Sequence, residues 1–540
     1  MKPESTPLSR LLQAAASVCA LLAFGALAEP PAPAAAKVQA STADHSKFKE
    51  LAGPFATGPD VTRACLQCHT EAAKQVHKSI HWTWELDQPQ TGQRLGKRWV
   101  VNNYCLSLTA NYARCTSCHV GYGWKDASFD FTVEENVDCL ACHDTTGTYV
   151  KFPTGAGHPP YEDTPFQGKV IKAPDLAKVA QGVGKTSRQS CGACHFKGGG
   201  GEAVKHGDMD SSLTAPPKSV DVHMSPEGLN YSCSTCHEFK AHEQAGSRYL
   251  MKAKSETGVS LPGQESNRPA CESCHGLTPH ASGIGDKLNS HVDKVACQTC
   301  HIPEYARGGR ATKTYWDWST AGRLDAQGKP VVEKQGDLVV YDGMKGSFEW
   351  GENLVPEYYW FDGSVRYTLL GETIDPGDQT ELNQISGGYG DPKARIWPFK
   401  VMRGRQPYDK GNDILVVGHL FGKDDAAYWK TFDWSKAVKA GMEEAKRIGQ
   451  TTADYSGEYG FADTLMYWPI THMVAPKDQA LGCADCHAKD GRLANLTGFY
   501  MPGRDGNPWI DRIGWLLVLA TLAGVLLHGL VRLVTRKRQA

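Results

Sequence analysis

The chain has 540 residues, a formal net charge of -1, 18 cysteines and 20 histidines. The balanced charge excludes a basic surface for nucleic acid and an acidic interaction tail. The cysteine content is typical of exported disulfide-linked proteins. However, sixteen of the eighteen cysteines lie in pairs separated by two residues, and a histidine directly follows each pair. This spacing excludes a disulfide framework as the main role of the cysteines.

The first residues have the features of an export signal. Lys2 and Arg10 precede a long apolar stretch, and small residues end it at Ala28, which predicts removal of residues 1–28. Residues 29–44 are rich in proline and alanine and are predicted to form a linker. Residues 29–508 are therefore expected outside the cytoplasm.

Eight Cys-x-x-Cys-His motifs dominate the remaining sequence. Two thiols at this spacing reach the two vinyl groups of one porphyrin, and the adjacent histidine lies under the iron as the proximal ligand. One motif alone is compatible with half a zinc site or a redox dithiol, but eight motifs behind an export signal predict eight covalently attached haem c groups. The motifs are Cys65/Cys68/His69, Cys115/Cys118/His119, Cys139/Cys142/His143, Cys191/Cys194/His195, Cys233/Cys236/His237, Cys271/Cys274/His275, Cys297/Cys300/His301 and Cys483/Cys486/His487.

The distribution of motifs predicts the domain organisation and the fold class. Residues 45–301 hold seven motifs, residues 302–482 hold none, and residues 483–508 hold the eighth. A chain with this many haems cannot bury a conventional core for its length, so porphyrin faces supply the apolar surface. We therefore expect a mainly α multihaem cytochrome c fold, in which short helices and extensive loops surround a stacked haem array with little sheet.

The haem-free stretch, residues 302–482, has a different character. Aromatic residues alternate with glycine and proline around 315–317, Trp350 and 358–361, which predicts hairpins and extended segments. Residues 424–450 carry apolar side chains at near-helical spacing and predict an amphipathic helix. A structural cap over the haem array is favoured over a separate catalytic domain.

Residues 509–540 are predicted to hold a transmembrane helix and a basic cytoplasmic tail. The segment 513–534 is apolar apart from His528 and Arg532, and its length matches the roughly 20 residues that cross a bilayer. Basic residues follow it at 536–538, so the positive-inside rule places the haem region on the periplasmic side of the inner membrane. The alternative is an amphipathic helix buried in the protein.

The free histidines suit distal haem ligation. Besides His528, eleven histidines lie outside the motifs, which exceeds the eight distal positions and favours the bis-histidine ligation of electron-transfer haems. His45 is the weakest candidate because it adjoins the linker, and His419 is left outside the preferred set. The preferred candidates are His77, His81, His158, His206, His223, His242, His280, His291 and His472.

Six longer strings accompany the motifs, at 115–131, 138–157, 294–307, 314–322, 399–409 and 469–487. Together they resemble the octahaem tetrathionate reductase family of c-type cytochromes over most of residues 60–500. The C-terminal apolar segment departs from a soluble periplasmic enzyme. The resemblance implies one catalytic haem with a lysine amine as its protein ligand and an open substrate face. It also implies reduction of small sulfur or nitrogen oxyanions such as tetrathionate, nitrite or hydroxylamine.

Five residues are candidates for this catalytic pocket. Lys151 is the leading candidate for the lysine ligand, on the haem of Cys115 and Cys118, and Lys125 is the second. The amine must be neutral to bind iron, so burial or the metal must lower its pKa. Cys105, the one mature cysteine outside the motifs, is either buried and inert or placed to attack an S–S substrate. Asn102 and Asp126 are candidates for polar contacts in the same pocket.

We therefore predict a terminal reductase that passes electrons through bis-histidine haems to one open haem. A non-catalytic relay between a membrane quinol-oxidising partner and periplasmic acceptors is the alternative. An oxidase related to hydroxylamine-oxidising octahaem enzymes ranks below both. The expected partners are a small oxyanion substrate and a membrane cytochrome b or quinol-oxidising subunit, and a homo-oligomer is compatible with the sequence. His528 and Arg532, on one face of the last helix, either contact that membrane partner or reach the cytoplasmic interface.

Overall fold

The structure is a computed structural model that describes residues 43–255 and 269–536. The predicted export signal, most of the predicted linker and residues 537–540 lie outside the described residues. Two kinds of architecture fill the described part: short helices and turns around the haem motifs, and a mixed sheet built from the haem-free stretch. The domain divisions at 301/302 and 482/483 stay predictions.

Most helices are short, and many coincide with a haem motif. One helical turn brings both cysteines of a motif to the same side of the chain, which suits attachment to one porphyrin. In chain order the helices are α1 Gly58–Leu66, α2 Ala72–Val76, α3 Ile80–Thr83, α4 Tyr112–Cys115, α5 Leu140–His143, α6 Leu176–Gln181, α7 Arg188–His195, α8 Cys233–Cys236, α9 Glu272–His275, α10 Ile284–His291, α11 Cys297–His301, α12 Tyr428–Thr431, α13 Trp434–Arg447, α14 Cys483–Cys486 and α15 Pro508–Arg536. Single 3-10 turns lie at His45–Lys47, Lys49–Leu51, Thr116–Cys118, Glu134–Asn136, Ser211–Thr214, Trp318–Thr320 and Lys477–Gln479.

The strands form one large sheet and four two-stranded ribbons. The strands are β1 Leu86–Asp87, β2 Arg94–Leu95, β3 Thr164–Phe166, β4 Lys169–Ile171, β5 Phe239–Lys240, β6 Glu243–Gln244, β7 Thr312–Asp317, β8 Val332–Gln335, β9 Leu338–Asp342, β10 Gly346–Gly351, β11 Glu357–Phe361, β12 Val365–Tyr367, β13 Thr380–Glu381, β14 Asn383–Ile385, β15 Arg395–Asp409, β16 Ile414–Leu415 and β17 Tyr459–Pro469. The nine-stranded sheet has the order β13-β17-β15-β7-β10-β9-β8, and β11 and β16 also pair with β15. β15 is antiparallel to β17 and parallel to β7.

Strand β15 organises this sheet. Most of its residues are buried, as expected for a central strand that is covered on both faces. It pairs with β17 along eleven residues, with Met402 opposite Met466 and Lys400 opposite Trp468. Buried Trp316 and Phe399 pack in the same core cluster. The sheet therefore contributes to a conventional hydrophobic core that is rich in aromatic side chains.

This sheet corrects the expected fold class. The protein is only 28% helical, so "mainly α" was wrong, as was the expectation of little sheet. The physical reason lies in residues 302–482, which have no haem motif and must bury their own aromatic side chains. They do so by pairing strands, which also satisfies their backbone hydrogen bonds. The extended segments expected there are part of a large sheet.

Helix α13 lies within the segment for which the sequence predicts an amphipathic helix. Asp433 caps its first turn by accepting a hydrogen bond from the backbone N–H of Lys436 at 3.2 Å. A Cβ on Gly441 would lie 2.0 Å from the carbonyl oxygen of Val417, so only glycine lets the helix approach this strand-like segment so closely. The buried side chains of the helix belong to the same core cluster as those of the sheet.

The sheet also holds the haem-motif segments in place. The Asn103 amide donates to the carbonyl of Met402 at 2.8 Å, and the Thr299 hydroxyl donates to the carbonyl of Ile396 at 2.7 Å. The buried Lys400 ammonium donates to the carbonyl of Val204 at 2.9 Å. These bonds join three separate motif regions to the single strand β15.

Helix α15 is long and apolar enough to cross a membrane. Its candidate span, Pro508–Thr535, has a mean hydropathy of 2.1, and none of it is buried against the rest of the protein. A solvent-exposed apolar surface of this size is unfavourable in water. The helix is therefore a candidate membrane anchor, as the sequence predicts.

Candidate functional site

Seven of the eight motif histidines face a second imidazole ring. Metal–imidazole bonds are about 2 Å long, so an ion between two rings holds their centres roughly 6 Å apart once the ring radii are added. The ring centroids of all seven pairs are 6.1–6.4 Å apart. The pairs are His69 with His45, His195 with His81, His143 with His242, His275 with His223, His237 with His472, His301 with His280, and His487 with His291.

Hydrogen bonds orient many of these rings. A ring whose Nδ1–H donates to an acceptor leaves Nε2 unprotonated and available to a metal. In eight of the paired rings Nδ1 lies 2.8–3.1 Å from such an acceptor. The acceptors are the carbonyls of Gly184, Ala245, Pro502 and Lys287 for His143, His237, His487 and His291, and the side chains of Gln244, Gln75, Asn289 and Asp208 for His81, His242, His280 and His472.

His119 is the exception among the motif histidines. Its Nε2 lies 2.7 Å from the carbonyl oxygen of Trp82, and its Nδ1 has no hydrogen-bond partner among the described residues. The ring is fully buried among aromatic side chains, with the Trp124 ring 4.8 Å and the Trp84 ring 5.2 Å away. Burial lowers the pKa of His119 to about 3, so the ring is neutral at physiological pH. A backbone carbonyl thus engages the nitrogen that would bind iron in a conventional motif.

The thiols of neighbouring motifs lie close together. Side-chain contacts join Cys65 to Cys139, Cys118 to Cys194, Cys191 to Cys233, and Cys271 to Cys297. Three further pairs are near enough to interact electrostatically: Cys142 with Cys191, Cys236 with Cys271, and Cys300 with Cys486. These links connect all eight motifs in one unbroken series. Along this series the motifs follow one another in the order first, third, fourth, fifth, sixth, seventh and eighth. The second motif branches from the series at the fourth motif.

Solvent exposure separates the motif cysteines into two groups. Twelve are partly buried, whereas four are exposed: Cys68, Cys236, Cys274 and Cys483. The physical reason is that they lie in or just after short helices at the protein surface, and α8 and α14 contain no buried residue. The other cysteine of each of these motifs is partly buried, and the role of the exposed four in haem attachment stays a prediction.

Lys151 lies next to His119. Its side chain is 10% exposed, and Nζ donates to the main-chain carbonyl of His119, to the carbonyl of Gly157 at 3.0 Å and to Asp138 at 2.8 Å. Asp138 is itself buried and accepts hydrogen bonds from the hydroxyls of Tyr122 at 2.7 Å and Tyr149 at 2.8 Å. Three acceptors therefore hold the Lys151 ammonium beside the second motif.

The other pocket candidates differ in their surroundings. Lys125 is exposed and Asp126 is partly exposed. Asp126 accepts hydrogen bonds from Ser128. Cys105 is partly buried with Sγ 3.8 Å from the carbonyl of Gly199, and burial raises the pKa of its thiol. A raised pKa disfavours the nucleophilic thiolate. Asn102 shapes the turn around Cys105, since its amide donates to the carbonyl of Leu106 at 2.9 Å.

Apart from His528, four free histidines do not face a motif histidine. His77 stacks on Trp82 at 4.4 Å, and His158 stacks on Tyr122 at 5.3 Å. His206 lies edge-on to Trp468 at 5.0 Å. His419 forms hydrogen bonds through Nδ1 with the carbonyl of Ala110 and through Nε2 with Asp424. The pairing of His45 was missed because its place beside the linker gives no local signal of the contact with His69.

These residues fit haem c. Eight thiol pairs supply the thioether attachments, and seven imidazole pairs have the separation that a bound iron requires. Haem also accounts for the otherwise sparse apolar contacts around the short motif helices. The site therefore defines a c-type cytochrome with many haems.

Comparison with known proteins agrees with this class. The crystal structure of an octahaem cytochrome c from Shewanella oneidensis has a TM-score of 0.71 and 42% identity, and the match covers 87% of this chain and 98% of that chain. The family "Cytochrome c bacterial" matches residues 313–490, and "Cytochrome c7 and related cytochrome c" matches residues 218–302. An uncharacterized protein from Archaeoglobus fulgidus is 26% identical over 241 residues, which are 37% of this chain and 80% of that protein.

The chain belongs to the multihaem c-type cytochrome family. It carries covalently attached haem c, which confirms the cofactor predicted from the motifs. Its role is that of a multihaem electron-transfer oxidoreductase.

Proposed function

We propose that the protein reduces small sulfur or nitrogen oxyanions, such as tetrathionate, nitrite or hydroxylamine, at the haem of Cys115 and Cys118. Lys151 is the protein ligand of that iron, and its opposite face is open to substrate. The other seven sites serve electron transfer. When bound, haem c supplies one-electron transfer at every site and a Lewis-acidic iron at the open one.

The observation that carries this proposal is the difference between His119 and the other seven motif histidines. Seven have a second imidazole at the separation of an axial ligand pair, and His119 has none. Its Nε2 is engaged by the carbonyl of Trp82. We assign the seven pairs as axial ligands, which adds His45 to the distal set and leaves out His77, His158 and His206.

The surroundings of Lys151 support its role as the replacement ligand. A neutral amine keeps two N–H donors, enough for Asp138 and one carbonyl, and its lone pair becomes available to a metal. The Asp138 carboxylate fixes the direction of the amine, and Tyr122 and Tyr149 hold that carboxylate in place. The low exposure of Lys151 excludes water that would compete for the lone pair.

Helix α15 supports a membrane electron donor. We propose that it anchors the protein on the periplasmic side of the inner membrane and contacts a cytochrome b or quinol-oxidising subunit. The eighth motif directly precedes this helix in the chain, so electrons from the membrane enter the series at that end. His528 and Arg532, four residues apart on one helical face, are the proposed contact.

Spectroscopy of the oxidised protein tests the site assignment. The expected spectrum has seven low-spin bis-histidine haems and one haem with a different signature. Lys151→Met should change that one signal and abolish turnover, whereas the matched control Lys125→Met should change neither. Eight low-spin bis-histidine haems, or unchanged spectra in Lys151→Met, would refute the assignment. Absence of turnover with all three substrates would refute the reductase.

The second candidate function is a non-catalytic relay. The unbroken series of motif contacts favours it, because the links suffice to carry electrons without any reaction. A relay has no need for an open iron. Rapid electron exchange with a periplasmic cytochrome, together with no oxyanion turnover, is the result expected for the relay.

A further inference from the structure

A group of hydrogen-bond donors surrounds the indole ring of Trp468. This residue lies on β17 and is 2% exposed. The Lys205 ammonium is 4.8 Å from the ring centroid and the Arg248 guanidinium carbon is 4.1 Å from it. The His206 ring lies 5.0 Å away, edge-on to the indole. Two cations and an imidazole therefore converge on one aromatic side chain.

Two of these donor atoms lack acceptors among the described residues. Arg248 Nη1 and Trp468 Nε1 are both inaccessible to solvent and have no hydrogen-bond partner within the described ranges. Neither Lys205 nor Arg248 forms an ion pair with a carboxylate in residues 43–255 and 269–536. Each buried donor without a partner costs about 1–3 kcal/mol, and native proteins rarely leave such donors unpaired. The cluster thus offers positive charge and N–H groups to a group that can only accept.

Further hydrogen bonds hold the Lys205 backbone and the Arg248 side chain in place. The carbonyl of Lys205 accepts from the hydroxyl of Tyr104 at 3.1 Å and from Lys400 at 3.2 Å. Arg248 donates to the hydroxyl of Tyr249 at 3.2 Å. Because these contacts are already made, little ordering is needed when an anion enters.

The electrostatics of the cluster are compatible with a bound anion. Burial, followed by the charge of Arg248, lowers the pKa of Lys205 well below its usual value. An anion between the two cations would reverse this effect. Lys205 also interacts electrostatically with Cys118 and His195, which places the cluster between the second and fourth motifs. It therefore lies near haem-attachment residues of both motifs.

We propose that Lys205, Arg248 and the indole N–H of Trp468 form a binding site for one oxyanion group. Its occupant is either a free oxyanion or the propionate carboxylate of a neighbouring haem, which share this chemistry. The first case rests on the proposed reductase function and gives that reductase its substrate-binding site. The second gives the cluster a role in setting the potential of that haem.

The experiment titrates thiosulfate and inorganic sulfate into the oxidised full-length protein and follows binding by calorimetry. Arg248→Gln should weaken binding about tenfold or more, because a hydrogen bond to a charged group contributes about 1.5–3 kcal/mol. Trp468→Phe removes the indole N–H but keeps an aromatic ring and should have a smaller effect, and Lys205→Arg should retain binding. Arg323→Gln, on the exposed edge of the sheet, is the matched control and should bind normally. Mass measurement of eight attached haems shows that each variant folds.

A redox titration of the same variants separates the two sources. Saturable anion binding that Arg248→Gln weakens supports a free oxyanion. No anion binding, with a lower reduction potential of one haem in Arg248→Gln but not in Arg323→Gln, supports a propionate. If Arg248→Gln changes neither property, the site is refuted. Tight anion binding without turnover of any substrate would keep the site and refute the reductase.

Discussion

The hydrogen bond between Asp208 and His472 allows a specific test of the ligand assignment. Asp208 is 1% exposed, and its Oδ2 accepts from His472 Nδ1 at 3.1 Å and from the backbone N–H groups of Thr471 at 2.8 Å and His472 at 2.9 Å. Burial opposes protonation of His472, but Asp208 outweighs burial and raises the pKa of the ring. A carboxylate on Nδ1 makes Nε2 a stronger electron donor, which favours oxidised iron.

Asp208→Asn keeps the shape and the acceptor oxygen but removes the charge. A hydrogen bond to a charged group contributes about 1.5–3 kcal/mol and a neutral one about 0.5–1.5 kcal/mol, so the substitution removes about 1–1.5 kcal/mol. For a one-electron couple, this corresponds to about 40–65 mV. We expect the reduction potential of the haem of Cys233 and Cys236 to rise by this amount in a spectroelectrochemical titration.

Asp221→Asn is the matched control. Asp221 is also buried and accepts from the backbone N–H groups of His223 at 2.9 Å, Met224 at 2.8 Å and Val474 at 3.2 Å, with no hydrogen bond to an imidazole ring among the described residues. It should therefore cause a smaller shift. Unchanged potentials in Asp208→Asn, or equal shifts in the two variants, would refute the assignment of His472 as an axial ligand.

Three further predictions concern other parts of the molecule. His45→Ala should give one additional high-spin haem by electron paramagnetic resonance, whereas His77→Ala should give none. Arg395→Met leaves the buried Glu272 unpaired and should lower the free energy of unfolding by about 3–5 kcal/mol in chemical denaturation, whereas adding Glu272→Leu should restore most of it. Burial lowers the pKa of Lys400 from 10.5 to about 7. At a pH between these two values, the Lys400 side chain therefore binds a proton in the unfolded chain but not in the folded protein. Thermal stability should therefore rise from pH 7 to 9, and Lys400→Met should remove this rise.

The haem motifs could be recognised in the sequence because each is defined by five consecutive residues. The cofactor and the family follow from such local patterns, and both are confirmed. The exposure of a motif thiol such as Cys68 or Cys274 is not encoded in those five residues, because it depends on what packs around the helix. Candidate distal ligands likewise depend on contacts between distant segments, as with His45 and His69. The unusual environment of His119 is equally non-local, since the carbonyl that engages its ring belongs to Trp82.

The multihaem cytochrome c fold is confirmed, but its expected mainly helical content was wrong for a related physical reason. Little sheet was expected because eight haems were predicted to supply most of the apolar surface. Strand β15 and its partners instead form a hydrophobic core from their own side chains. Aromatic residues between glycines and prolines indicated extended segments without revealing that nine strands join in one sheet. The register of Lys400 opposite Trp468, which builds part of the proposed oxyanion site, depends on that sheet.

The pairing of His237 with His472 has a consequence for biogenesis. Under the proposed export, the fifth motif reaches the periplasm long before residue 472, and haem can be attached to its cysteines at once. Under the proposed ligation, that centre keeps a vacant axial position until strand β17 has folded and delivered its partner. Maturation of the fifth haem is thus coupled to completion of the C-terminal sheet, and a chain truncated before residue 472 would be a reactive intermediate.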